Sequence, residues 1–133
     1  MYVVYESPLQ MLADSPSNYR REPESLAFLA AVPSVWDETR VLSAAVGEHI
    51  LVARRSGRDW YVGALTNWDA RDLGVDLSFL GAGPFQAVIF RDGVNAHRVG
   101  VDYAREEKAV TAADRLQIRL APGGGWVARI VPR

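Results

Sequence analysis

The sequence contains no cysteine, so a disulfide, a thiolate nucleophile and a cysteine-based zinc site are all excluded. It also lacks an excess of either charge, because 15 Lys and Arg residues stand against 16 Asp and Glu. A near-neutral chain is not expected to have nucleic acid as its main partner. No apolar run approaches the roughly 18 residues of a membrane span. The first residues show no signal-peptide pattern, so the sequence predicts neither a membrane partner nor a signal peptide in this chain.

Residues suited to catalysis or metal binding are scarce as well. The only histidines, His49 and His97, belong to no cluster of carboxylates at ligand spacing, so the sequence predicts no metal site and no cofactor in this chain. Catalysis by two carboxyl groups that flank one scissile bond places them about 5–10 Å apart. Neighbouring carboxylates on an extended strand point to opposite faces and cannot flank one bond. This applies to Asp37 with Glu38 and to Glu106 with Glu107, and Asp69 and Asp72 flank Arg71 in a polar link. We therefore predict no catalytic residue.

Helical signals are confined to residues 1–35. Apolar side chains recur at helical spacing in the first twelve residues, which predicts a helix there that Pro8 either kinks or starts. A second helix is predicted from Pro23 to about Val32, because proline suits the first turn and Pro33 stops the element.

After residue 40 the hydrophobic period becomes two, as in half-buried strands. Strands are predicted at residues 40–46, 48–55, 60–67, 73–79, 85–91, 115–120 and 126–131, with a weaker one between 103 and 111. Glycine-containing turns separate them, and residues 122–125 are predicted to form a hairpin turn. The predicted fold is mainly β: an antiparallel β-sandwich or Greek-key-like domain of seven to eight strands, preceded by two short helices. The predicted division is residues 1–35 and 36–133.

Several stretches resemble the C-terminal region of glycoside hydrolase family 97. They are MYVVYESPLQMLADSP at residues 1–16, VPSVWDETRVL at 32–42, ARRSGRDWYVGALTN at 53–67, LSFLG at 77–81 and GGG at 123–125. The resemblance implies that residues 1–35 are a remnant of the last helix of a catalytic barrel with its linker, and that residues 36–133 are the family's C-terminal antiparallel domain. It further implies a parent α-glucosidase or α-galactosidase that is periplasmic or secreted and depends on calcium. Its catalytic carboxylates and calcium ligands would lie outside this chain.

Two features remain as candidate interaction sites. The segment Trp36, Asp37, Glu38, Thr39 and Arg40 is a candidate domain interface, since a tryptophan can anchor it and Asp37 or Thr39 can bind free backbone amides. Among the tryptophans, alternation places Trp60 and Trp126 in the core. Trp68 follows a strand in a polar link and is the candidate for contact with a sugar.

The favoured interpretation is a non-catalytic accessory domain of a family 97 α-glycosidase that packs on the catalytic barrel and supports oligomerisation. An orphaned barrel helix would expose apolar side chains such as Tyr2, Val4, Leu9 and Leu12. We therefore expect the N-terminal helices either to form a homo-oligomer or to pack onto the sheet. The alternatives are a free-standing carbohydrate-binding β-sandwich module and an independent hydrolase.

Overall fold

The computed structural model describes residues 1–7 and 9–133. It confirms a mainly β fold in which two short helices precede eight strands. The helices are α1 (Pro16–Tyr19) and α2 (Pro23–Ala31). The strands are β1 (Glu38–Ala45), β2 (His49–Ser56), β3 (Asp59–Thr66), β4 (Arg71–Asp76), β5 (Phe85–Asp92), β6 (Tyr103–Val110), β7 (Arg115–Leu120) and β8 (Gly125–Pro132). Neither described helix has the length and apolar character needed to cross a membrane.

The strands form two sheets in which every pairing is antiparallel. The large sheet has the order β1-β2-β3-β8-β5-β6, and the small sheet consists of β4 and β7. Strand β8 lies between β3 and β5, so the end of the chain closes the large sheet through pairings that are distant in sequence. The small sheet packs over one face of the large sheet, which we call the inner face.

Alternating side chains fill the space between the sheets, as the period of two predicts. On β3 the inward residues include Trp60 and Val62, and on β8 they include Trp126 and Ile130. The core positions predicted for Trp60 and Trp126 are therefore confirmed. The small sheet contributes Val75 together with the alternating apolar residues of β7.

The outer face of the large sheet is buried over β2 and β3, where the N-terminal segment covers it. Consecutive residues of β2 and β3 are therefore buried on both sides of the sheet, and Val52 and Tyr61 are examples on the outer side. This packing is one of the two outcomes expected for the N-terminal residues.

The helix predicted within the first twelve residues is wrong for the part that the structure describes. Val4 and Tyr5 both donate backbone hydrogen bonds to the carbonyl of Met1 in a single turn, and no described residue before Pro16 is helical. Val3 and Val4 are adjacent and both buried against the sheet. A helical stripe would bury residues three and four apart, so packing against the sheet overrides the periodicity. The predicted kink or helix start at Pro8 falls outside the described residues.

The hairpin predicted at residues 122–125 is also wrong. Strand β7 pairs with β4, whereas β8 pairs with β3 and β5. The segment therefore carries the chain from the small sheet to the large one. Gly123 adopts a positive φ of 68° there, which explains the need for glycine at that position.

Candidate interaction surfaces

The contact between the N-terminal segment and the outer face depends on a glycine in β3. A Cβ atom at Gly63 would lie 2.9 Å from Cγ2 of Val4 and 3.2 Å from Cβ of Val3. The absent side chain thus leaves the space in which the two valines pack. Because both valines are buried there, the first residues belong to the packed structure and do not extend freely from it.

Arg54 of β2 is a buried cation within this contact, with 4% of its surface exposed. Its Nη2 donates to the backbone carbonyl of Val4 at 3.2 Å and lies 3.0 Å from Oε2 of Glu6. Its guanidinium group lies 5.6 Å from the ring centroid of Trp36. Within the described part of the chain, Nε and Nη1 of Arg54 have no hydrogen-bond partner. The hydrogen bond to Val4 and the ion pair with Glu6 join the segment to β2 and offset part of the cost of burying this charge.

Helix α2 adds a second set of contacts to the same face. Phe28 packs edge-on against Phe90 of β5 with ring centroids 5.3 Å apart. The hydroxyl of Tyr61 donates to the carbonyl of Ala31 at 2.6 Å, and burial raises the pKa of this hydroxyl. The guanidinium of Arg129 lies over the ring of Tyr61 and binds the carboxylate of Asp59 at 2.7 Å. The end of α2 is thereby bonded to the centre of the large sheet.

The candidate domain interface at Trp36–Arg40 makes its described contacts within this chain. The ring of Trp36 packs edge-on against Tyr61 at 5.3 Å. A carboxylate oxygen of Asp37 accepts a hydrogen bond of 2.7 Å from the amide of Gly57, in the turn between β2 and β3. Trp36 and Asp37 therefore join the N-terminal segment to the hairpin formed by β2 and β3.

The remainder of this candidate interface forms the start of β1. Glu38 binds Arg40 at 2.6 Å and Arg55 at 3.2 Å, and these guanidinium groups lower the pKa of its carboxyl. Thr39 pairs with Arg54 across β1 and β2. The guanidinium of Arg40 lies 5.5 Å from the ring centroid of Trp60. A role of these five residues toward another domain stays a prediction.

The carboxylates considered for catalysis are engaged in separate contacts. Glu106 binds Arg91, whereas Glu107 binds Arg105. His49 lies 2.8 Å from the hydroxyl of Ser43 through Nε2. Across residues 1–7 and 9–133, no group of three or more His, Asp or Glu side chains is placed to hold a metal ion. The described residues therefore do not fit the calcium site that the resemblance implies for the parent enzyme.

Asp92 has a structural role that sequence reasoning missed. Its carboxylate accepts hydrogen bonds from the amide of Ala121 at 2.8 Å and from the amide of Gly125 at 3.0 Å. It thereby joins the end of β5 to the segment between the two sheets. The only local signal is the pair Asp92-Gly93, which is one of the glycine-containing turns predicted between the strands.

Exposed apolar side chains concentrate in two segments. We call the first the N-terminal strip, which consists of Met1, Tyr5, Leu9, Met11 and Leu12. We call the second the valine loop, which is residues 93–102 with Val94, Val99 and Val101. A groove of about 590 Å³ lies between them. It is lined by Met1 and Tyr5 on one side and by Ala96, Gly100 and Asp102 on the other.

The exposure expected for the N-terminal residues is found in part. Leu9 and Leu12 are exposed, whereas Val4 is buried on Gly63 and Tyr2 is half-buried. Trp68 is 85% exposed at the end of the sandwich, where its ring lies beside Gly123. A contact of Trp68 with a sugar stays a prediction.

The described residues form a β-sandwich without a cluster of catalytic or metal-binding side chains, and its exposed apolar residues are concentrated in two segments. These features are typical of an accessory or interaction domain. The model of one protein family, described as the glycosyl-hydrolase 97 C-terminal domain with a role in oligomerisation, matches residues 35–131. The chain belongs to this family. Its role is that of a non-catalytic accessory domain.

The chain is similar to proteins that are much longer than itself. It is 55% identical to a retaining α-galactosidase of Bacteroides thetaiotaomicron over 98% of the chain and 20% of that protein. It is 33% identical to a probable retaining α-galactosidase of Streptomyces bingchenggensis over 95% of the chain and 19% of that protein. A solved glycoside hydrolase family 97 enzyme from Pseudoalteromonas sp. strain K8, in complex with acarbose, matches 98% of the chain and 21% of its own chain. That match has a TM-score of 0.92 and 41% identity. The chain thus spans about a fifth of the length of these relatives.

Proposed function

We propose that this domain packs on the catalytic barrel of a family 97 α-glycosidase through its N-terminal strip. The carrying observation is that the N-terminal segment has two apolar sides. Val3 and Val4 are buried on the sheet, whereas Leu9 and Met11 project from the domain. The sheet therefore accounts for one side of the segment, and a partner surface is proposed for the other.

The similarity to two α-galactosidases supports the choice of partner. In this proposal the catalytic carboxylates and the calcium ligands are supplied by the parts of the parent enzyme outside this chain, and the assembled enzyme acts outside the cytoplasm. This chain contributes folding stability and assembly to that enzyme.

A chimera tests the packing on the barrel. The C-terminal fifth of the Bacteroides thetaiotaomicron relative is replaced by this chain, and a second chimera carries Leu9→Glu with Met11→Glu. Burial of two new carboxylates against a partner is unfavourable. We therefore expect the variant chimera to lose its activity and solubility at a lower temperature than the unsubstituted chimera. Val35→Glu with Val46→Glu adds the same charge at exposed positions outside the strip and serves as the control. If the chimera with Leu9→Glu and Met11→Glu is inactivated at the same temperature as the unsubstituted chimera, packing through the strip is contradicted.

If the strip does not pack on the barrel, it is the alternative candidate for the contact between two copies of the chain, since the family description names oligomerisation. In that case Leu9→Glu with Met11→Glu reduces the oligomer mass of this chain in the absence of any barrel. Light scattering after size exclusion measures this directly. An unchanged mass would remove the strip as a contact between copies.

A second candidate function is carbohydrate binding, favoured by the exposed ring of Trp68. Trp60 and Trp126 are buried, so a fluorescence change on titration with α-galactosides or α-glucans would report mainly on the more accessible rings. We expect Trp68→Ala to abolish such a response if the module binds sugar. Absence of any response in the unmodified chain would exclude this function for the sugars used.

A further inference from the structure

The valine loop is the longest connection between consecutive strands, with ten residues between the end of β5 and the start of β6. Long ordered loops on a sandwich are often functional, because the rigid sheets position them while their sequence is free to vary. Nothing in the packing of the core requires the loop to be apolar at its surface.

Internal hydrogen bonds hold the loop in one conformation. The carboxylate of Asp102 accepts from the amide of Asn95 at 2.6 Å, and the carbonyl of Asp102 accepts from the amide of Gly93 at 2.8 Å. Within the loop, the amide of Val99 donates to the carbonyl of Asn95 at 2.9 Å. A segment ordered in this way loses little conformational entropy when it binds a partner.

The ordered loop presents its valines to solvent. Val94 is 90% exposed and Val101 is 79% exposed, and Val99 is exposed as well. The adjoining strand β6 has a different character, with the consecutive charged residues Arg105, Glu106, Glu107 and Lys108. An apolar cluster beside a charged strand is a common arrangement of a protein contact and its polar rim.

Resting on the oligomerisation role of the family, we propose that the valine loop is the contact between two copies of this chain. The matched region, residues 35–131, contains the whole loop and excludes the N-terminal strip. The other large apolar side chains exposed in that region are Tyr103 beside the loop, Trp68 after β3, and the widely spaced Val35, Val41 and Val46 on and around β1. A two-fold contact needs a self-complementary patch, and uncharged valines meet this requirement because like patches do not repel.

The loop and the strip then have different partners. The loop meets a second copy, and the strip faces the barrel. The groove between them separates the two surfaces. Tyr103, at the start of β6, lines this groove and marks the edge of the copy contact.

Substitution of the loop valines tests the inference. Val94→Glu with Val101→Glu places four carboxylates in a two-fold contact, and we expect the dimer dissociation constant to rise about 100-fold. Val35→Glu with Val46→Glu has the same change in charge and is expected to keep the wild-type mass. The measurement is sedimentation velocity over a concentration series, with near-ultraviolet circular dichroism to verify folding. Val94→Ser with Val101→Ser provides the milder form should the glutamate variant not fold.

Cross-linking gives an independent readout, because the chain has no cysteine of its own. A single Val94→Cys is expected to form a disulfide-linked dimer rapidly on mild oxidation, whereas Val46→Cys is not. A wild-type mass for both loop variants, or equal cross-linking at the two positions, overturns the loop contact while the oligomerisation role stands. A wild-type chain that is monomeric at every concentration overturns the oligomerisation role itself, and the loop contact with it.

Discussion

Arg54 donates a hydrogen bond from Nη2 to the backbone carbonyl of Val4, which precedes it by 50 residues in the chain. This bond joins β2 to the first turn of the N-terminal segment. The same guanidinium lies against Glu6 and Trp36, so one buried side chain contacts both ends of the segment that covers the sheet. The position of the N-terminal residues is therefore determined by contacts with the sheet as well as by their own sequence.

Replacement of Arg54 by alanine should therefore loosen the N-terminal segment. The bonds to Val4 and Glu6 are lost together with the aliphatic packing, and we expect a loss of about 2 kcal/mol in the free energy of unfolding. Urea denaturation measures the loss, and hydrogen exchange at residues 1–7 locates it. Arg58→Ala, at an exposed position of the turn after β2, is the control and should change little. Unaltered exchange at residues 1–7 in Arg54→Ala would show that Arg54 does not hold the segment.

Gly63→Ala should displace the same segment by a different route. The new methyl group would lie 2.9 Å from Cγ2 of Val4, so the valines must move, at a cost of about 1–3 kcal/mol. Gly81→Ala is the matched control because a Cβ there has no neighbour within 4 Å and its φ is not positive. Thermal unfolding of the two variants provides the comparison, and equal melting temperatures would contradict close packing at Gly63.

Asp92→Asn should weaken the connection between the sheets. The asparagine oxygen can still accept from Ala121 and Gly125 in the place of Oδ2. Its NH2 group would then face the amide of Gly125 in the place of Oδ1, and the charge is lost, so we expect a loss of about 1 kcal/mol. Asp72→Asn makes the same chemical change on the exposed side of β4. Urea denaturation of both variants tests the prediction, which fails if the two lose the same stability.

The ion pairs of Glu38 predict a dependence of stability on pH. Arg40 and Arg55 lower the pKa of this carboxyl in the folded chain below its usual value of 4.5. Its contribution to stability is therefore present above the usual pKa and is lost as the pH falls through the lowered folded value. Glu38→Gln should destabilise the chain at about pH 6 and have little effect at about pH 2, measured by urea denaturation. An equal effect at both pH values would show that the ion pairs are not responsible.

The strands could be predicted from the sequence because their signal is local. Alternation on β7 and β8 places Leu116 and Trp126 correctly, and α2 begins at Pro23 as expected. The absence of an internal helix between strands also indicated the antiparallel arrangement.

The errors arose where distant contacts decide the conformation. Val3 and Val4 are buried together because Gly63 leaves space for them, and no pattern within the first twelve residues contains that information. The segment at residues 122–125 has the composition of a hairpin, but β8 pairs with strands from earlier in the chain.

Some features of the candidate surfaces could be predicted from local sequence, and others could not. The exposure of Trp68 follows from its position in a polar link. The burial of Arg54 could not be predicted from the sequence, because an arginine that points away from the core of a β-sandwich is usually exposed to solvent. The valine loop was not recognised because three valines separated by polar residues form neither a helical nor a strand pattern.

Sedimentation equilibrium of the unmodified chain over a wide range of concentrations tests the central claim most directly. A domain that serves oligomerisation is expected to show reversible association, with a mass that rises from that of one chain toward that of two as the concentration increases. A mass equal to one chain at every concentration would contradict the account.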